Sequence, residues 1–202
     1  MANLLEVLEE ARARGLLGPG PLDEHIGHSR ALAGLVGEPP RRFLDLGSGG
    51  GIPGLVLAAE WPAAAGVLLD AHRRAQAFLE EAIDRLGLAG RLRAVAGRAE
   101  ELARDPELRS ASDLVVARAF GPPPATAECG AGFLREGGRL VVSEPPEPDP
   151  ARWDPEGLAR LGLSAPAVRR GDGVTIAVMT LEHPVDDRWP RRTGIPSKRP
   201  CW

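Results

Sequence analysis

The sequence contains no tyrosine, a single lysine (Lys198) and only two cysteines, Cys129 and Cys201. Two distant cysteines without a Cys/His cluster exclude a disulfide framework and a zinc site, and they favour a reducing compartment. No apolar run approaches the ~20 residues of a membrane span, and the N-terminal segment lacks the order of charged, apolar and small residues of a signal peptide. We therefore expect a cytoplasmic protein with no membrane span and no metal.

The charge is small in total and uneven along the chain. The 202 residues carry 25 Lys and Arg against 28 Asp and Glu, a net charge of −3 that argues against a protein that merely coats nucleic acid. Residues 188–202, however, hold five basic residues and no acidic one, which leaves residues 1–187 with a net charge of −8. The length fits one domain, in which a basic tail follows an acidic body.

Short apolar runs alternate with helical patterns through most of the chain. This alternation predicts an α/β fold with a doubly wound, mostly parallel, seven-stranded sheet. The residues between the last two strands, Gly171-Asp172-Gly173, predict an antiparallel hairpin. The predicted strands are residues 43–46, 67–70, 92–95, 113–117, 139–143, 167–170 and 174–181.

The sheet region has a predicted segment on either side. Residues 1–40 contain two helical patterns, the second over residues 22–36 and ended by Gly37, and form a short N-terminal helical leader. Residues 41–187 form the sheet domain. Residues 188–202 contain Pro190, Pro196 and Pro200, which predict an irregular tail.

A glycine-rich segment, DLGSGGGIPG, starts at Asp45 and follows the first predicted strand. Its Gly49, Gly51 and Gly54 match G-x-G-x-x-G, a weak signal that admits a nicotinamide or flavin dinucleotide. Asp45 opposes that interpretation, because its carboxylate would face a dianionic pyrophosphate. S-adenosylmethionine carries a sulfonium and an ammonium group but no phosphate, so it fits better. Asp70, after the second strand, can bind the ribose hydroxyls of either cofactor.

Three further motifs accompany the glycine loop and its Pro53-Gly54 ending: Arg98-Ala99-Glu100-Glu101-Leu102, Ala117-Arg118-Ala119-Phe120, and the tail from Pro190 to Pro200. With these motifs the chain resembles the bacterial 16S ribosomal RNA guanine-N7 methyltransferases, the glucose-inhibited division B (RsmG) family, over roughly residues 25–199. The resemblance implies a Rossmann-like class I methyltransferase that uses S-adenosylmethionine and acts on 16S ribosomal RNA of the small ribosomal subunit.

The resemblance also implies roles for individual residues. Arg118 is placed at the mouth of the active site, as the catalytic candidate and a cofactor neighbour. The implied cofactor pocket adds Gly47, Ile52, Ala99 and Glu100 to Asp45, Gly49, Gly51 and Asp70. The implied contacts to RNA phosphates are Arg191, Arg192, Lys198 and Arg199. We expect loss of residues 188–202 to weaken RNA association and to spare cofactor affinity.

The sequence departs from the family at several places. The helical leader is short, and the segment His25-Ile26-Gly27-His28-Ser29 lacks the acid that the family carries. Glu144 and Glu147 predict an acidic rim after the fifth strand, which would oppose RNA. These departures keep two alternatives open, a diverged small-molecule methyltransferase and a noncatalytic cofactor-binding protein.

The chemistry of guanine N7 agrees with what the sequence lacks. N7 already presents a lone pair in the major groove, so its methylation requires no general base. The fourth strand is not followed by the Asn/Asp-Pro-Pro-Tyr motif typical of exocyclic amine methylation. Cys129 is expected to be a small core residue rather than a nucleophile. Methylation of oxygen or an amine would need a base, for which the candidates are His25, His28 and His72.

Overall fold

The computed structural model describes residues 3–202. The strands are β1 (Arg42–Leu46), β2 (Ala65–Asp70), β3 (Leu92–Ala96), β4 (Ser112–Ala117), β5 (Leu134–Glu144), β6 (Ala167–Gly171) and β7 (Val174–Thr180). Over the described residues they form one seven-stranded sheet in the order β3-β2-β1-β4-β5-β7-β6. Strands β1 to β5 are parallel, whereas β7 runs antiparallel to both β5 and β6. The predicted doubly wound α/β fold and its terminal hairpin are confirmed.

Helices cover both faces of the sheet. They are α1 (Leu4–Ala13), α2 (Leu22–Val36), α3 (Gly54–Glu60), α4 (Arg73–Arg85), α5 (Ala99–Leu102), α6 (Pro123–Ala131), α7 (Pro155–Arg160) and α8 (Ile195–Lys198), with a 3-10 turn at Pro150–Arg152. Successive strand residues point to opposite faces, so Val115 and Val116 of β4 enter different cores. One core receives α1 to α4, and the other receives α5 to α7 with Trp189 of the tail.

The N-terminal leader packs on the sheet. Asn3 caps α1 and forms a capping box with Glu6, which satisfies amide groups at the start of that helix. Leu8 of α1 and Leu32 of α2 are fully buried in the same core as the strands. Helix α2 has the predicted bounds and stops at Gly37. The leader is therefore part of the body of the protein and contributes to its hydrophobic core.

Most strand ends lie within two residues of their predicted positions, but the start of β5 and the character of the tail differ from the prediction. Strand β5 begins at Leu134 rather than at residue 139. The short apolar pair Phe133-Leu134 suits a strand as well as the end of a helix, so the sequence pattern does not locate this start. The tail was predicted to be irregular, but it contains the one-turn helix α8. Pro196 occupies the first turn of that helix, where proline loses no hydrogen bond. Within residues 3–202, no helix combines the length and apolar character that a bilayer crossing requires.

Candidate functional site

Two cavities lie side by side at the carboxyl ends of the parallel strands. They lie near the neighbouring strands β1 and β4, on either side of which the strand order runs in opposite directions. The loop cavity, about 240 Å³, is bordered by Gly47 to Gly50, His25 and Arg118. The tail cavity, about 160 Å³, is bordered by Ala99, Glu100 and Ser197, and it shares Gly47 with the loop cavity. This is the switch point at which doubly wound sheets bind their ligands. The two cavities together are the candidate site.

The glycine loop that follows β1 is fastened to β2. The backbone N–H groups of Gly47 and Ser48 both donate to the carbonyl oxygen of Leu69, at 2.8 and 2.9 Å. Gly47 has a φ of +82°, which favours glycine, and a Cβ at this position would lie 2.9 Å from Cδ2 of Phe120. Glycine is therefore required at Gly47 by both its conformation and the ring beside it.

Asp45 lies beneath the glycine loop and lines neither cavity. Its side chain is fully buried, and Oδ2 accepts a hydrogen bond from the backbone N–H of Gly54 at 3.0 Å. Burial raises the pKa of Asp45 to about 7. Within the described chain Oδ1 has no hydrogen-bond partner. The sequence predicts that this carboxylate faces the ligand crevice, whereas in the structure Asp45 holds the first turn of α3 from inside the core.

Asp70 braces the glycine loop from the end of β2. Its Oδ2 accepts from the N–H of Gly49 at 2.9 Å, while Oδ1 accepts from the N–H of His72 at 2.9 Å. An ionised carboxylate can accept about four hydrogen bonds. Asp70 shapes the loop and borders neither cavity, although its neighbours Leu69 and Ala71 border the tail cavity. Its contact with the ribose hydroxyls stays a prediction.

Arg118 and His25 form a pair at the wall of the loop cavity. Nη2 of Arg118 lies 2.7 Å from Nδ1 of His25. Arginine can only donate, so Nδ1 is the acceptor and the proton of the neutral ring is on Nε2. That Nε2 is buried and has no partner among residues 3–202. Burial lowers the pKa of Arg118, which stays a cation.

None of the histidines considered as a general base is well placed for that role. The acceptor nitrogen of His25 is engaged by Arg118. His28 pairs with Ser143, and burial together with the charge of Arg118 lowers the pKa of His28 to about 4. Nδ1 of the His72 ring lies 3.0 Å from Oδ1 of Asp70, and the ring lines neither cavity. The arrangement suits an acceptor that needs no proton removed.

Ala99 and Glu100 both border the tail cavity, and their contact with the cofactor stays a prediction. Glu100 is 3% exposed, and Oε1 accepts from Nη2 of Arg98 at 3.0 Å and from the N–H of Gly194 at 2.9 Å. Burial raises the pKa of Glu100, but these hydrogen bonds outweigh burial and leave that pKa below its ordinary value. Glu100 is thus a buried carboxylate of α5 that is held by Arg98 and by the tail.

The predicted pocket residues of the glycine loop divide into two groups. Gly49 and Ile52 border the loop cavity together with Gly47. Gly51 borders neither cavity, and a Cβ there would lie 2.4 Å from Cδ1 of Leu55. The structure therefore gives Gly51 a packing role against α3.

Arg191 is an internal anchor of the tail. Its backbone N–H and its guanidinium all donate to the carboxylate of Glu128 on α6, whose side chain is fully buried. This is at odds with the RNA contact predicted for Arg191, because its guanidinium is committed inside the chain. Arg192, Lys198 and Arg199 are exposed, and for them the RNA contact stays a prediction.

The acidic rim predicted after β5 is largely absent among the described residues. The side chain of Glu144 is fully buried, where it accepts hydrogen bonds from Nε1 of Trp153 at 3.0 Å and from Arg152 at 2.8 Å. Burial raises the pKa of Glu144. Only Glu147 of the predicted pair is exposed. The argument that this rim repels RNA therefore loses its main residue.

Several residues that shape the site belong to no motif in the sequence. Leu16 and Leu17, between α1 and α2, border the loop cavity, and the Leu17 side chain lies where a Cβ on Gly50 would point. Ser197 of α8 borders the tail cavity. The residue types at and around these three positions do not indicate a ligand site. Cys129 is buried and burial raises its thiol pKa, so it is a core residue as expected.

Residues 20–144 match the model of the family described as rRNA small subunit methyltransferase G. Relatives that carry the name ribosomal RNA small subunit methyltransferase G include one from Deinococcus deserti, 37% identical over 168 residues that cover 80% of this chain and 68% of the relative. Another, from Moorella thermoacetica, is 32% identical over 80% of this chain and 70% of its own length.

Solved structures support the architecture. An O-methyltransferase from Bacillus cereus, solved with S-adenosylhomocysteine, matches with a TM-score of 0.61 and 18% identity over 88% of this chain and 90% of its own. At that identity the likeness concerns the fold alone.

Proposed function

Because the chain belongs to the ribosomal RNA small subunit methyltransferase G family, we propose that it transfers a methyl group to N7 of a guanine in 16S ribosomal RNA. The family makes the chain an S-adenosylmethionine-dependent methyltransferase. We further propose which RNA accepts the methyl group, which atom of the guanine receives it, and which residues bind the cofactor and the acceptor. The observation that carries it is the pair of cavities joined at Gly47, with Glu100 at one end and Arg118 at the other.

The residues around the cavities fit a nucleoside that bears an amino acid and no phosphate. Asp70 and Glu100 supply carboxylates near the carboxyl ends of β2 and β3, and such groups accept from hydroxyl and amino donors. A pyrophosphate would meet these acids unfavourably. We assign the adenosine part to the tail cavity, beside Ala99, and the methionine part to the loop cavity. When bound, S-adenosylmethionine supplies an electrophilic methyl group.

Arg118 is the residue of this chain best placed to orient the reactants. Its guanidinium is a planar array of donors that suits a carboxylate or the O6 of guanine. Donation to either leaves N7 of the guanine free to use its lone pair. His25 fixes the guanidinium by accepting one of its hydrogens. Leu16 and Leu17 cover the loop from the leader side and keep water from that wall.

The exposed tail arginines and lysine supply the RNA-contacting part of the proposal. Arg192, Lys198 and Arg199 lie within one short segment that borders the tail cavity through Ser197. Phosphates of a folded RNA attract such a cluster without reading its sequence. A ribosomal acceptor places the enzyme in the cytoplasm.

The test is methyl transfer from S-[methyl-³H]adenosylmethionine to small ribosomal subunits isolated from a strain that lacks the corresponding methyltransferase. We expect one N7-methylguanosine per particle, identified by nuclease digestion and mass spectrometry. Large subunits and already methylated small subunits are the controls and should take up no label. Label on another atom, transfer only to small metabolites, or no transfer with proven cofactor binding would each overturn the proposal.

A further inference from the structure

The C-terminal segment passes along the tail cavity. Ser197 of α8 borders this cavity together with Ala99 and Glu100. We propose that residues 193–198 form a wall of the S-adenosylmethionine site and that Glu100 positions this wall, so that tail order and cofactor binding stabilise each other. The inference rests on the proposed placement of the cofactor. It differs from the expectation, drawn from the sequence, that the tail serves RNA alone.

Two neighbouring carboxylates of α5 hold two neighbouring residues of the tail. Glu100 accepts from the N–H of Gly194 at 2.9 Å, and Glu101 accepts from the hydroxyl of Thr193 at 2.8 Å. Glu100 is also one of the residues that border the cavity. A buried carboxylate loses much of its stabilisation when a donor is removed. The same side chain therefore faces the ligand space and fixes the segment that closes it.

The tail is anchored on both sides of this segment. Before it, Arg191 is paired with the buried Glu128, whose helix α6 also borders the tail cavity through Ala125 and Cys129. After it, Trp202 donates from Nε1 to the carbonyl oxygen of Arg152 at 3.2 Å. The Trp202 ring lies so close to Gly157 that a Cβ there would come within 2.1 Å. The segment between these anchors is thus held against the cavity.

The groups that the wall offers suit a purine base. A serine hydroxyl both donates and accepts, and the edge of adenine presents an amino donor beside ring-nitrogen acceptors. Linkage then requires reciprocity: if an ordered tail tightens cofactor binding, cofactor binding must order the tail by the same factor.

The first test measures S-adenosylhomocysteine affinity by calorimetry. Gly194→Pro removes the N–H that Glu100 accepts and cannot adopt the φ of +79° found there. Deletion of residues 193–202 removes the wall but keeps the Arg191–Glu128 pair. We expect at least tenfold weaker binding in both variants. Arg188→Ala, which changes tail charge outside residues 193–198 and does not touch Glu100, is the matched control and should stay within twofold of the parent chain.

The second test uses trypsin on the full chain and needs no substitution. Saturating S-adenosylhomocysteine should slow cleavage after Arg192 and Lys198 at least fivefold. Cleavage after Arg170, an exposed site on β6, should be unchanged.

Circular dichroism is the folding control for the Gly194→Pro variant of the first test, and its spectrum should match that of the parent chain.

The outcomes separate the two proposals. If the parent chain does not bind S-adenosylhomocysteine, the proposed function fails, and this inference fails with it. If the parent chain binds it but Gly194→Pro and the deletion bind equally well, with no protection from trypsin, only the role of the tail is overturned.

Discussion

The backbone N–H of Gly49 donates to Oδ2 of Asp70 at 2.9 Å, so the glycine loop after β1 is held by the carboxylate that ends β2. The second oxygen of Asp70 is held in turn by the N–H of His72 at the start of α4. One side chain thus ties together two strand ends and a helix. The cofactor loop depends on Asp70 for its shape as well as for any contact with a ribose.

Asp70→Ala should weaken S-adenosylhomocysteine binding by about 1–3 kcal/mol, because it leaves the Gly49 N–H without its acceptor and removes the ribose acceptor. Calorimetry measures the change. Asp84→Ala, which removes an exposed carboxylate from α4, is the control and should bind like the parent chain. Equal affinity in Asp70→Ala would contradict the assignment of Asp70.

Arg191→Met should destabilise the fold by about 3–5 kcal/mol, because it leaves the carboxylate of Glu128 buried without its charge partner. Arg192→Met removes the adjacent, exposed guanidinium and should change stability by less than about 0.5 kcal/mol. Urea unfolding of the two variants gives the comparison. Similar losses in both would show that Arg191 is not the anchor.

Asp45→Asn should gain stability relative to the parent chain as the pH rises from about 4 to about 7. Burial raises the pKa of Asp45 to about 7 from an ordinary 3.8, so the folded chain keeps a proton in this range that the unfolded chain releases. Stability of the parent chain therefore falls with rising pH, by up to about 4 kcal/mol from this group.

Asparagine can still accept from Gly54 but does not titrate. Urea unfolding at pH 4, 5.5 and 7.5 should show the difference between Asp45→Asn and the parent chain growing with pH. A difference that stays constant would mean that Asp45 does not titrate in this range. Asp84→Asn, on the exposed face of α4, should show no such trend.

Arg118→Met should lower kcat/KM for methyl transfer roughly 10- to 150-fold, which corresponds to the loss of a charge-assisted hydrogen bond of about 1.5–3 kcal/mol. The assay uses unmethylated small subunits. Arg93→Met, which removes an exposed arginine of β3 paired with Glu107, is the control. Full activity in Arg118→Met would remove Arg118 from the catalytic site.

Replacing Arg192, Lys198 and Arg199 together by alanine should weaken binding to small subunits and reduce its salt dependence. Loss of three phosphate contacts should lower the slope of log affinity against log salt by about 2 to 3. A titration in KCl measures the slope. An unchanged slope would show that this part of the tail does not contact RNA, whatever its effect on the cofactor.

Local patterns predicted much of the fold. The apolar runs located all seven strands, and helix α2 has its predicted bounds because its apolar spacing and the glycine after it agree. The position of the glycine loop and the acidic residues beside it could also be predicted from the sequence, since only glycine readily adopts the backbone conformations that such a turn requires.

The sequence could not predict contacts between distant residues. Arg191 and Arg192 are identical in type, and only the fold brings Glu128 to the first of them. Glu144 was interpreted as an exposed acid because Arg152 and Trp153 are recognised as its partners only when the chain turns back. Leu16 and Leu17 carry no chemical signal, and their place at the loop cavity follows from helix packing.

The position of Lys198 gives the protein a natural site for labelling. It is the only lysine in the sequence, and it is exposed on α8, one residue after the serine that borders the tail cavity. An amine-reactive fluorophore can therefore modify one side chain, once the α-amino group, which is the more reactive amine near neutral pH, has been blocked. Such a dye would report whether cofactor binding changes the surroundings of the tail, in a chain with no residue replaced.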